Sequence, residues 1–257
     1  MHIQKAHMIY FSPANHTKKY CQQIANMLPW TTEMIDITPF ASSLKANYDD
    51  TSLVVIALPS FGGRVPPIVL ERLRQVHATH TPCMLAVTFG NRDFDDTLLE
   101  LKEWVTASGF VVLGACALVC EHSIMPCYGT GRPHAQDLVQ VDAFLQSIIR
   151  KIAVANQPWQ IQVKGHFPYR ETTKSPFLPK TSDQCQACGK CYKECPTHAI
   201  SQEDPSITNS KLCVSCMRCV TICPYHAKHL PPEVLKASIE KMAAVCSTYK
   251  ENYFSLL

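Results

Sequence analysis

No run of about 18 apolar residues occurs in this chain, so no membrane-spanning helix is expected. The first eleven residues hold only the short apolar run Met8-Ile9-Tyr10-Phe11, without the long hydrophobic stretch of a secretory signal. That end is expected to be a strand, and the protein to be cytoplasmic. Charge of one sign is not in excess either. The 24 Lys and Arg face 21 Asp and Glu, and a formal charge of +3 is too small to mark a nucleic-acid binder. Histidine supplies no metal site: the pairs His77/His80 and His226/His229 are three apart but lack further ligands nearby. With 257 residues and a hydrophobic share of 46%, the chain can bury a substantial core in one or two domains.

What the chain has in quantity is cysteine. Eight of the fourteen fall into two copies of C-x2-C-x2-C-x3-C-P. The first copy is Cys185, Cys188, Cys191, Cys195 and Pro196; the second is Cys213, Cys216, Cys219, Cys223 and Pro224, offset by one constant interval throughout. Three thiolates at this spacing let a tight loop turn around one corner of a compact cluster. A proline after the fourth suits the start of a short helix, since it lacks an N–H and holds a helical φ. The match extends beyond the cysteines, with His198-Ala199 aligned to His226-Ala227 and Lys190 to Arg218. It argues for two half-domains related by a pseudo-twofold axis. Structural zinc fits less well, because all-cysteine zinc sites use two separated C-x2-C pairs. Disulfides are disfavoured in a reducing compartment. The pattern resembles the bacterial ferredoxin signature for two [4Fe–4S] clusters, in which the fourth cysteine of each run ligates the other run's cluster. That resemblance implies Cys185, Cys188, Cys191 and Cys223 on one cluster, and Cys213, Cys216, Cys219 and Cys195 on the other. The remaining cysteines, Cys21, Cys83, Cys116, Cys120, Cys127 and Cys246, are scattered as buried thiols would be. Cys120 and Cys127 are alternatively candidates for reactive thiols.

Upstream of the repeats, short apolar runs alternate with amphipathic segments. The runs are Ile9 to Phe11, Met34 to Ile37, Leu53 to Leu58, Met84 to Val87 and Phe110 to Leu118. The spacing predicts helices over Thr17 to Leu28, Pro67 to His77, Phe94 to Ser108 and Ala135 to Ala155. Five strands alternating with helices imply a parallel sheet covered on both faces. In such sheets ligands bind beyond the carboxyl ends of the strands, where strand order reverses. Three loops leave those ends. Ser12-Pro13-Ala14-Asn15-His16-Thr17 offers hydroxyls and helix-start N–H groups to an anion, though taken alone it also reads as a plain N-cap. The others are Ser60-Phe61-Gly62-Gly63-Arg64, and Phe89-Gly90-Asn91-Arg92. Together they describe a slot for a flat phosphorylated ligand. Glu121, His122, Ser123 and Arg132 follow the fifth strand on the same edge, as helpers for such a ligand or as a hydrogen-bonded lid.

The whole arrangement resembles the flavodoxin–ferredoxin fusion family. The resemblance is carried by Phe11-Ser12-Pro13, Ser60-Phe61-Gly62-Gly63-Arg64, Gly90-Asn91-Arg92, Glu121-His122-Ser123, Gly131-Arg132-Pro133 and Phe167-Pro168-Tyr169-Arg170, with the cysteine repeats. It implies a doubly wound, five-stranded parallel flavodoxin-like α/β domain that binds FMN, followed by a small α+β two-[4Fe–4S] ferredoxin domain. It further implies a phosphate loop of Ser12, Ala14, Asn15, His16 and Thr17. Phe61 and Phe89 would flank the flavin ring, with Ser60 and backbone groups of Gly62, Gly63, Gly90 and Asn91 near its polar edge. The chain departs from the family's loop at Ala14, which loses a hydroxyl, and at Asn15, which replaces a glycine.

The expected division is a flavodoxin-like unit over 1–155, a proline-rich connector over 156–180, the ferredoxin unit over 181–230 and a helical extension over 231–257. Aromatics Trp159, Phe167, Tyr169 and Phe177 are expected to pin the connector. Lys190, Lys193, Lys211 and Arg218 are candidates to offset the cluster charge. The leading expectation is an electron carrier between FMN, the clusters and a redox partner protein. Flavin-dependent reduction of a small substrate is a second reading, and an apo-flavodoxin docking module a third.

Overall fold

A computed structural model describes residues 2–40, 42, 44–154, 160–172 and 177–256. Trp159, Pro158 and Pro176 of the connector lie outside the described residues. In chain order the elements of the first unit are β1 (Lys5–Tyr10), α1 (His16–Met27), β2 (Thr32–Asp36), β3 (Lys45–Tyr48), β4 (Ser52–Pro59), α2 (Pro67–Leu73), β5 (Gln75–Ala78), β6 (Thr81–Phe89), α3 (Thr97–Ala107), β7 (Phe110–Val119) and α4 (Ala135–Val154). Then follow β8 (Lys180–Thr181), α5 (Lys190–Lys193), α6 (Arg218–Thr221), β9 (Lys228–His229), α7 (Pro232–Cys246) and β10 (Tyr253–Leu256).

The main sheet runs β10-β7-β6-β4-β1-β2, and its β2, β1, β4, β6 and β7 strands are mutually parallel. Setting aside the short pair β3 and β5, the parallel strands stand in the doubly wound flavodoxin-like order, second-first-third-fourth-fifth. The order reverses between β1 and β4, so the loops that leave those two strands face each other across a crevice.

Strand alternation sorts the core into two layers. Val54, Ile56 and Leu58 of β4 join Cys83, Leu85, Val87 and Phe89 of β6 under α2 and α3. Leu53, Val55 and Ala57 point the other way, against Tyr20 and Ile24 of α1 and Leu145 and Ile148 of α4. Period-two alternation with both faces apolar is what a helix-covered parallel strand requires.

Two expectations change here. The helix begun at Pro67 stops at Leu73, and Gln75–Ala78 forms β5, paired in parallel with β3. The C-terminal segment is helical only over Pro232–Cys246; Tyr253–Leu256 returns to the main sheet as a sixth strand, antiparallel to β7. The cysteine-rich segment therefore lies, in sequence, between strands of one sheet. Asn252 fixes the return, its Oδ1 accepting the Val119 N–H at 2.9 Å and its Nδ2 donating to Asp137 at 2.8 Å. No helix among the described residues is long and apolar enough to cross a membrane.

Candidate functional site

The two cysteine runs repeat in backbone geometry as well as in sequence. Positive φ recurs at Ala187 and Ser215, at Gly189 and Met217, and at His198 and His226, each pair standing at equivalent positions of the two runs. The left-handed residues Gly189 and Met217 turn the chain directly before α5 and α6. At each run's end the N–H of Ala199 donates to Cys195 Sγ, and that of Ala227 to Cys223 Sγ, both at 3.3 Å. The aligned alanines of the sequence repeat thus do the same job twice.

The runs also interleave. Cys223 joins Cys185, Cys188 and Cys191 around one cavity, walled by Pro205, Tyr225 and Lys228. Cys195 lies in the electrostatic neighbourhood of Cys216, with Cys213 and Cys219. Among the described residues, no three His, Cys, Asp or Glu side chains gather as they would around a single metal ion. No disulfide joins any of the described cysteines. Thiols spread around a space, in crossed fours, match the donor set of a cluster rather than of a mononuclear ion.

Burial raises the Cys191 thiol and lifts Cys219 to about 12, and the ammonium of Lys228 is the leading charge opposing it at both. At Cys223 burial is outweighed by N–H groups of Lys228, Tyr225 and Ala227, so this thiol lies below its ordinary value. Lys228 is itself only 3% exposed, its Nζ donating to the Pro205 carbonyl. Lys228 is not among the four cations expected to offset the cluster charge, of which Lys190, Lys193 and Lys211 are exposed and Arg218 is half-buried. A signal is there all the same: the equivalent position of the first run holds Ile200, so the repeat breaks its symmetry with a buried cation.

The cysteine-rich segment is docked on the carboxyl edge of the sheet. Arg72, 6% exposed, donates to the carbonyls of Ile37 and Thr38 and, at 2.7 Å, to that of Pro196 beside Cys195. Burial lowers its pKa, and Glu71, Asp36, Cys195 and Cys216 are the neighbours that oppose this. The ring of Phe40 stacks on His198 with centroids 3.6 Å apart, and His198 stacks in turn near Tyr192 at 5.2 Å. Arg218 reaches the loop after β1, donating to Pro13 O at 3.3 Å and Asn15 Oδ1 at 3.2 Å.

That loop is built as an anion cradle. Asn15 adopts φ 63° and precedes α1 without capping it, while Ser12 Oγ accepts the Lys18 N–H at 2.9 Å. The first-turn N–H groups of His16 and Thr17 have no acceptor within their helix. His16 Nδ1 and Arg218 Nε are buried without a hydrogen-bond partner, and burial lowers the His16 pKa, keeping the ring neutral. Ala14 contributes only backbone. Thr17 Oγ1 shares a hydrogen bond with Thr88 Oγ1 at 2.8 Å. Buried donors left over at a helix start suit a phosphate, so the residues fit the phosphate end of FMN.

The expected ring-binding residues divide. Ser60, Phe61 and Gly62 lie at the loop after β4, Gly62 in open surroundings. The His122 ring lies directly on Gly90, its Nδ1 accepting the Ile124 and Met125 N–H groups, and burial lowers its pKa to about 4. One expectation is corrected: Phe89 is no flank of a slot, since it points into the core and packs on Phe94 with centroids 5.5 Å apart. The Asn91 side chain is buried, its amide donating to the carbonyls of Cys246 at 2.6 Å and Thr248 at 3.0 Å, while its backbone N–H donates to Phe89 O at 3.1 Å. Asp95 and Arg170 crowd Gly63 so closely that a Cβ would not fit, and its carbonyl accepts the Asp96 N–H at 3.1 Å.

Arg132 serves no slot either. It is buried in a pair with Asp137, lies under Tyr249 at 4.7 Å and donates to Lys250 O, holding the returning C-terminal segment. Cys120 is buried and its thiol pushed up to about 12, which makes it inert; Cys127 is exposed. The connector is pinned chiefly by carboxylates. Asp96 accepts the N–H groups of His166 at 2.8 Å and Arg170 at 2.7 Å, and Tyr169 OH donates to Glu103. Phe167, at 77% exposure, pins nothing.

Residues 184–228 match the family model described as a 4Fe-4S dicluster domain. No curated protein matches the chain. Among solved structures it is similar to rubredoxin oxygen:oxidoreductase from the anaerobe Desulfovibrio gigas, at 15% identity and a TM-score of 0.41, over 58% of this chain and 36% of that one. A flavodoxin from the domain Archaea is similar at 12% identity and a TM-score of 0.42, over 58% and 99%. A flavodiiron core from Synechocystis is similar at 18% identity and a TM-score of 0.45, over 60% and 37%. The chain thus spans little more than a third of the oxidoreductase's length. The fold assignment itself stands on the strand order. An iron–sulfur segment of the dicluster type thus follows a unit with the flavodoxin-like strand order.

Proposed function

We propose that this protein carries electrons between FMN, held by the unit 1–155, and two [4Fe–4S] clusters held by 181–230, and exchanges them with a redox partner protein. Cys213, Cys216, Cys219 and Cys195 would hold the cluster nearer the flavin unit; Cys185, Cys188, Cys191 and Cys223 would hold the outer one. The phosphate would sit at Ser12, Asn15, His16 and Thr17, with the ring beside Ser60, Phe61, Gly62 and Gly90. Residues 156–180 connect the units, and 231–257 return to the first.

The observation that carries the reading is the docking of both cysteine runs on the carboxyl edge of the sheet, at α2 and at the loop after β1. Arg72 and Arg218 bond across that junction, from opposite sides, to Pro196 and to Pro13 and Asn15. Cys188 of the other set is exposed, which suits the outer cluster to exchange with a partner. Bound FMN supplies a carrier that takes electrons in pairs and releases them singly, which one-electron clusters can relay. The chain's own part is to fix the distance between the sites and to keep their surroundings dry.

A reductive titration under anaerobic conditions tests this. Two clusters and one flavin take up about four electrons per chain, with bleaching of both the flavin bands and the broad iron–sulfur absorbance. Uptake confined to the iron–sulfur absorbance would reduce the protein to a ferredoxin carried on an empty flavodoxin-like unit.

A further inference from the structure

Arg218 occupies a position that the repeat treats in two ways. Its counterpart in the first run, Lys190, is exposed, whereas the Arg218 side chain is 12% exposed and directed at the flavodoxin-like unit. One Nη donates to Pro13 O and Asn15 Oδ1, and the other pairs with Glu194 at 2.5 Å. Nε is buried without a partner. Beside its ion pair with Glu194, this arginine from between Cys216 and Cys219 therefore directs its other Nη at neutral oxygens, on the rim of a loop whose helix-start amides await an anion. Guanidinium matches phosphate oxygens better than it matches carbonyls, in charge and in its planar fork of donors.

We infer that Arg218 is a phosphate-recognising residue supplied by the iron–sulfur segment to the flavin site, so that the flavin's grip depends on the second cysteine run being folded in place. The inference rests on the proposed binding of FMN. It gives the Asn15 substitution a reason: a side-chain carbonyl there positions Arg218, and the arginine replaces the donor that Ala14 lacks. Glu194 restrains the same guanidinium and repels an incoming phosphate.

The test compares FMN with riboflavin, which lacks the phosphate, by equilibrium dialysis against anaerobically purified, flavin-depleted full-length protein with iron content measured in parallel. Arg218→Ala is expected to weaken FMN binding about tenfold to a hundredfold while leaving riboflavin within about twofold. Glu194→Gln is expected to tighten FMN by up to about fivefold, again without effect on riboflavin. Unchanged FMN affinity in Arg218→Ala would overturn the inference, as would parallel losses for both flavins, the mark of a structural latch. Should Arg218→Ala lose its iron, Glu194→Gln decides alone: a tighter FMN complex supports the inference, and an unchanged or weaker one refutes it. Wild-type protein that binds neither flavin would instead remove the FMN reading on which all of this rests.

Discussion

Replacing Arg72 by methionine isolates the docking of the two units. Methionine keeps an unbranched apolar stem against Phe11, over whose ring the guanidinium lies at 5.7 Å, and removes only the charged head. Three carbonyls lose their donor, at Ile37, Thr38 and Pro196, of which only Pro196 belongs to the cysteine-rich segment. A hydrogen bond to a charged group is worth about 1.5–3 kcal/mol, and a buried acceptor left bare costs about 1–3 kcal/mol. Against this, the variant no longer buries a guanidinium, which returns part of the loss. A net destabilisation of about 2–4 kcal/mol follows. The share that crosses the junction, about 1–3 kcal/mol, corresponds to a 5- to 150-fold rise in local opening. The segment is tied at both ends, by the connector and by β10, so opening is a local swing rather than release. Hydrogen exchange read on peptides covering 12–18 and 194–198 should speed up by that factor, with the strands β4 and β6 unaffected. Arg72→Lys should behave almost as badly, since one ammonium cannot serve three separated carbonyls. Exchange within about twofold of wild type in Arg72→Met would refute the claim that this arginine holds the junction.

Lys228→Met should lower the reduction potential of the cluster held by Cys185, Cys188, Cys191 and Cys223 by on the order of 50–100 mV, because a buried cation no longer favours the added electron; an anaerobic redox titration that finds neither potential moved would remove Lys228 from this role. Cys195→Ala should damage the cluster of Cys213, Cys216 and Cys219 and spare that of its own run, which electron paramagnetic resonance of the reduced protein distinguishes. The folded state holds His122 neutral, with a pKa near 4, so the unfolded chain takes up the extra proton first and stability falls as pH drops from about 6.5 towards 4. That loss reaches about 3 kcal/mol and should be absent from His122→Asn, as measured by denaturant unfolding at a series of pH values. Asp137→Ala strands a buried guanidinium and should cost about 3–5 kcal/mol in the same assay.

Much of this was legible in the chain. The match of 184–228 to a 4Fe-4S dicluster domain follows from cysteine spacing, and the two runs with their regular repeat need no tertiary information. The strands β4, β6 and β7 announce themselves as apolar runs because parallel strands are buried on both faces. What escaped depends on pairing between distant segments. Tyr253–Leu256 is too short to read as a strand until β7 lies beside it, and Gln75–Ala78 carries one β-branched residue in a polar setting. Phe89 defies the slot expectation although its phase gives it away: it lies two residues from Val87 and four from Leu85, on the face turned to α2 and α3. Asn91 and Arg132 sit at the expected edge but serve the returning C-terminal segment, a partner more than a hundred residues away in sequence.

The central claim is that crossed thiolate quartets hold inorganic clusters next to a flavin. Iron, acid-labile sulfide and FMN, assayed per chain on protein purified without oxygen, address it most directly. About eight iron, about eight sulfide and one FMN per chain are expected for two [4Fe–4S] clusters beside one flavin. A colourless protein, or one carrying zinc without sulfide, would contradict the account at its root.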